Sequence, residues 1–225
     1  NRPFCYKGRP YMRVESATTT MPQTAYNNLL LQRDGNRYRW ELLENKNLTL
    51  QHLDTNEVLK TVRLGIECGR LPEDTGTDVP VILGKFGLLK DGVLNNAAAV
   101  LFGKHEDMEY PQCLLRLARF KGTDKTVFMD SQRIQGNFFQ LLNAAMAFIF
   151  KHLSLSGTTD TLEREEHLTI PYKAIREGVL NSLTHRSYKE AGGSVGIAIY
   201  DDRVEIENPG TFPPDWDAEK MKSEH

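Results

Sequence analysis

Between Ala174 and Ile206 the spacing of the apolar residues changes once, from every fourth position to every second. Ile175, Val179 and Leu183 recur at a helical interval, which predicts a helix over 174–186 with one buried face. Val195, Ile197 and Ile199 alternate strictly, Asp201-Asp202 supplies a turn, and Val204 and Ile206 alternate again, which predicts an antiparallel hairpin. A chain that carries both patterns so close together belongs to the α+β class.

Composition agrees with an ordinary folded protein. The chain has 225 residues, 40% of them hydrophobic and 26% charged, near the averages for globular domains and far from disordered or fibrous chains. The longest apolar run, Ala144 to Phe150, is about a third of the roughly 18 residues a spanning helix needs, so no membrane span is expected. Cys5, Cys68 and Cys113 are odd in number, widely spaced and without a CxxC pair. That argues against a disulfide framework or a zinc site and for a cytoplasmic location, with the three thiols expected to be buried or inert. The chain starts at Asn1 in what reads as the middle of a module, and a fragment of a longer protein is expected. The formal net charge is -2, yet up to Trp40 there are seven basic residues (Arg2, Lys7, Arg9, Arg13, Arg33, Arg37, Arg39) against Glu15 and Asp34. The N-terminal end is therefore a candidate basic patch.

Along the chain, Phe4 to Tyr6 and Tyr11 to Glu15 flank a glycine turn at Lys7-Gly8 and predict a hairpin that Thr18 to Met21 closes. Pro22, Tyr26, Leu29 and Leu30 predict a short helix. Asp54 to Glu57 resembles a cap, so a helix is expected over Thr55 to Cys68, ended by Gly69. Asp78 to Leu89 reads as a further short helix, and Ala97 to Phe102 and Cys113 to Phe120 as two strands separated by a polar loop. Asn137 to Leu153 has the stripe of a long helix (Phe138, Leu142, Met146, Ile149), and Trp40, Phe138 and Phe139 read as core residues. Ser154 to Glu166 is polar and is the expected linker.

Chemistry concentrates after Pro171. Glu177, Asn181 and Thr184 fall on the face opposite the apolar stripe, and a carboxylate and an amide four residues apart can address one small site. The Asn181 carbonyl oxygen suits Mg²⁺, a hard cation that takes oxygen ligands and keeps several waters. Glu177 can orient or deprotonate an attacking water. At the end of the hairpin, Asn208-Pro209-Gly210 removes one backbone donor and lets the backbone approach a ligand closely. His185, at the end of the helix, is expected to serve the terminal carbonyls.

Three strings make a resemblance: Ala174-Ile175-Arg176-Glu177-Gly178-Val179-Leu180-Asn181, then His185-Arg186-Ser187-Tyr188, and Asp202-Arg203-Val204-Glu205-Ile206-Glu207-Asn208-Pro209-Gly210. Together they resemble the divergent GHKL ATPase module of bacterial transcriptional regulators, in the superfamily of gyrase, MutL and histidine kinases. The resemblance implies an α/β sandwich, ATP and Mg²⁺ as cofactors, Glu177 as catalytic residue and Asn181 as magnesium ligand. It also implies Asn208 and Gly210 in the adenine-side loop, where that superfamily usually has an aspartate and glycines. The hairpin at Gly8-Arg9-Pro10-Tyr11-Met12-Arg13 resembles the end of an Alba-like DNA-binding module, which implies DNA contact by Lys7, Arg9 and Arg13.

The expected organisation is thus a tail of the Alba-like module over 1–34, a mixed α/β middle region over 35–136, and the first part of a GHKL-type sandwich over 137–225. The expected function is an ATP-binding, DNA-binding transcriptional regulator with weak Mg²⁺-dependent ATPase activity in the longer protein. A nucleotide-independent scaffold and an RNA-directed, Schlafen-like antiviral factor are the rival readings, and a homo-oligomer is left open.

Overall fold

The computed structural model describes residues 4–6, 9–14, 17–26, 39–104, 106, 110–153, 155–158, 165–168, 170–189 and 192–210. They fall into two units, Asn1–Leu43 and Glu44–His225. In the first, β1 (Phe4–Tyr6), β2 (Arg9–Val14) and β3 (Ala17–Thr20) form an antiparallel meander. Phe4 lies opposite Tyr11 and Met12 opposite Thr19, and Met21 donates its N–H to the Pro10 carbonyl at 2.9 Å. A helical turn at 23–26 follows Pro22. Leu29, Leu30, Lys7 and Gly8 lie outside the described residues.

The second unit begins with a helical cluster. Asp54 caps α1 (Thr55–Glu67) by accepting from the Glu57 N–H, and Asp78 caps α2 (Val79–Lys85) through Val81. A two-stranded ribbon, β4 (Leu89–Lys90) and β5 (Val93–Leu94), leads into α3 (Asn96–Phe102). Val58, Val62, Ile82, Leu83, Leu94, Ala98 and Phe102 form its core. Ala97 to Phe102 is thus a helix and not the expected strand. Three consecutive alanines favour helix over sheet, and the Asn95 side chain caps the first turn by accepting from Ala98 N–H at 3.1 Å.

The remainder is a sheet with helices on one face. Its strand order is β11 (Val204–Glu207), β10 (Val195–Ile199), β6 (Leu114–Phe120), β7 (Phe128–Gln135). Strands β6 and β10 run parallel, and each pairs antiparallel with its outer neighbour. The parallel pair requires a crossover, which α4 (Phe138–His152) and α5 (Tyr172–His185) provide. Leu115, Leu117, Val195, Ile197 and Ile199 point from the sheet into a core shared with Leu141, Ala145 and Ile149 of α4 and Ile175, Val179 and Leu183 of α5. Asn137 and Gln140 form a reciprocal capping box at the start of α4. Between the two helices, where a linker is expected over Ser154 to Glu166, β8 (Leu155–Thr158) pairs with β9 (Glu165–Leu168), which runs two residues past it. The sheet therefore joins strands from the expected middle region with strands from the expected nucleotide module.

Candidate functional site

Helix α5 runs from Tyr172 to His185 and is preceded at its N-cap by Pro171, whose fixed φ suits a helix entry. Its apolar stripe is buried, and Glu177, Asn181, Thr184 and His185 are exposed. Glu177 and Asn181 are one turn apart, about 6 Å along the axis, as the spacing predicts. Gly178 lets the helix settle on β11, because a methyl group there would lie 3.2 Å from Ile206 Cδ1.

The β10–β11 hairpin returns to the C-terminal end of the same helix and delivers Asn208-Pro209-Gly210 there. The Ser187 N–H donates to the Pro209 carbonyl at 2.6 Å. At Gly210 a Cβ would sit 3.1 Å from the His185 carbonyl oxygen and 3.6 Å from Asn208 Nδ2. The structure thus gathers Asn208 and Gly210 at the helix end, one turn beyond Asn181. Arg9 and Arg13 belong to the other unit, both exposed and on one face of β2, since alternate strand residues share a face. Lys7 lies outside the described residues.

Arg186 and Tyr188, from the His185-Arg186-Ser187-Tyr188 string, act together with Gly193 to hold this loop. Arg186 is 4% exposed and donates from Nη2 to the Gly193 carbonyl at 2.9 Å. Its guanidinium carbon is 4.7 Å from the centre of the Tyr188 ring, and the Tyr188 hydroxyl donates to the Leu183 carbonyl at 2.8 Å. Among the described residues, Arg186 Nε and Nη1 are buried with no hydrogen-bond partner. Burial lowers the guanidinium pKa from its usual value, and the group stays charged at neutral pH. Nearby, burial pushes the Cys113 thiol up to about 12, partly offset by the Arg186 charge. Cys113 is buried, as expected, whereas Cys68 is exposed.

Electrostatically, the C-terminal end of a helix carries about half a negative charge. A bare polyphosphate is disfavoured there, and a metal-bound one is not. Among the described residues no group of three or more His, Cys, Asp or Glu could hold a metal. Magnesium at this site fits the donors present only as an ion held by the exposed Asn181 amide oxygen, nucleotide phosphates and water, which is its usual habit.

Residues 192–225 match the family model described as "Putative ATP-dependent DNA helicase recG C-terminal". The crystal structure of the DIP2311 protein from Corynebacterium diphtheriae is similar over 94% of this chain, with a TM-score of 0.62 and 15% sequence identity. At that identity the likeness is one of fold, and this chain spans 41% of that chain's length. No curated protein matches the chain. Among the described residues no helix is long and apolar enough to cross a membrane. The hairpin and loop beside α5 thus fall within a stretch similar to an ATP-dependent family, on an α+β fold shared with DIP2311.

Proposed function

We propose that α5 and the β10–β11 hairpin form the first half of a Mg²⁺–ATP site in a DNA-binding transcriptional regulator. The observation that supports this reading is the packing of Gly210, in a stretch that matches an ATP-dependent family, against the His185 carbonyl at the end of the helix that carries Asn181 one turn earlier. Asn208 offers an amide to the adenine edge, and Gly210 leaves the backbone open to the base. Asn181 lends its carbonyl oxygen to the ion, which when bound neutralises phosphate charge. Glu177, one turn back and exposed, accepts the proton of the attacking water. A general base acts only on the chemical step. Glu177→Gln should therefore cut turnover by roughly 10²–10⁴-fold and leave ATP affinity nearly unchanged, read by phosphate release and direct binding. Unchanged turnover removes the enzymatic part of the proposal.

The DNA part rests on Arg9 and Arg13 sharing a face of β2, with Lys7 nearby in sequence. Such residues contact phosphates, so replacing all three with Ala should weaken binding equally for different sequences. It should also flatten the log–log salt slope by about 0.9 per lost contact. Titrations of fluorescent duplexes at several salt concentrations measure both effects, and an unchanged slope contradicts the assignment.

A further inference from the structure

Helices cover one face of the four-stranded sheet, and the other face carries a groove of about 370 Å³. Registers place its side chains in rows. Arg133 of β7 lies opposite Arg116 of β6, Arg116 beside Gly196 of β10, and Gly196 opposite Glu207 of β11. The next row is Ser131, Ala118, Ala198 and Glu205. Arg116, Arg133 and Glu207 are exposed, and among the described residues none of them is in an ion pair. Two arginines directly opposite one another destabilise a strand pair, so the row asks for an outside carboxylate. It carries one itself, on the far strand.

We infer that this open face binds a second copy of the chain. Place a two-fold axis in the interface, parallel to the strands and between β6 and β10. The strand order then reverses, and Arg133 of one copy faces Glu207 of the other. Arg116 lies over Gly196, where a side chain is missing and the space is open, and Ala118 meets Ala198. The small floor permits the roughly 10 Å sheet-to-sheet distance of aligned packing. A nucleic-acid strand would use the arginines but be repelled by Glu207, whereas a second copy uses both signs of charge. Four strands about 4.8 Å apart and five residues of about 3.3 Å each give a face of roughly 19 by 17 Å. That is small beside the roughly 800 Å² per partner of a standard interface, so the association belongs to the weak, transient class.

The test is sedimentation equilibrium of the whole chain at low salt, up to a few hundred micromolar. The wild type should show a monomer–dimer equilibrium that weakens with salt. Gly196→Val fills the space under Arg116 of the second copy with nothing to strike in its own chain, and should leave circular dichroism unchanged while abolishing the dimer. Arg133→Glu should weaken association by roughly a hundredfold, and combining it with Glu207→Arg should restore it, because the swap re-forms both contacts with the charges exchanged. A monomeric wild type, a dimer indifferent to these changes, or a swap that fails to rescue would each overturn the inference. A monomer that binds single-stranded oligonucleotide through Arg133 would assign the face to nucleic acid instead.

Discussion

At Gly193 a methyl group would lie 2.6 Å from Pro209 Cγ, while at Gly192 it would meet nothing within 4 Å. The two glycines of one doublet therefore do different work. Gly193 lets the start of β10 pass under the Asn208–Gly210 loop, and the Arg186 hydrogen bond to its carbonyl keeps it there. Gly193→Ala should cost about 1–3 kcal/mol, the usual range for forcing an extra carbon into a packed site, and should loosen nucleotide binding with it. Gly192→Ala should change neither. Thermal unfolding and ATP titration of the two variants give the comparison, and equal behaviour would show that Pro209 moves aside freely.

Among the elements, β7 is tied to the end of α4 through Asp130, which accepts from Lys151 Nζ and His152 Nε2, each at 2.8 Å. Hydrogen bonds from Lys151 and then His152 hold its carboxyl below the usual 3.8. A lowered folded pKa means that the contribution to stability is complete above 3.8 and is lost as pH falls through the folded value. Asp130→Asn should thus unfold at a modestly lower temperature than wild type near neutral pH, and the gap should close as pH is taken down through the carboxylate range. A gap of equal size at all pH values would contradict the ion-pair origin. The elements differ in how plainly the chain announces them. Helix α5 and the β10–β11 hairpin were legible because each buries one face and exposes the other, so period reports structure. Strand β7 was not, since Phe128 and Met129 are 62% and 61% exposed and its polar residues face solvent on an edge, leaving no alternation. Helix α3 differs from the expected strand because Ala97 to Phe102 is buried nearly all round, which erases the period and leaves only the alanine preference and the Asn95 cap as signals.

For the molecule as a whole, the α+β class was legible, and so were the two apolar faces that build the second unit's sheet layer. The pairing of β6 with β10 was not, because a parallel pair separated by two helices leaves no local mark in the chain. The candidate site followed the same rule. The exposed placement of Glu177 and Asn181 on one helix face was legible from spacing, and the loop at Asn208–Gly210 from the strand end, while the contacts of Arg186 with Gly193 and Tyr188 leave no periodic mark. The central claim is that the end of α5 and the hairpin loop bind magnesium-loaded ATP. Isothermal titration of ATP into the longer protein that completes the site, with and without Mg²⁺, tests it most directly when Asn181→Ala is run beside wild type. Wild-type binding should tighten on adding Mg²⁺. In Asn181→Ala that gain should shrink by about tenfold, equivalent to roughly 1.4 kcal/mol, while Mg²⁺-independent binding persists. No ATP binding by wild type, or an undiminished Mg²⁺ effect in Asn181→Ala, would contradict the account.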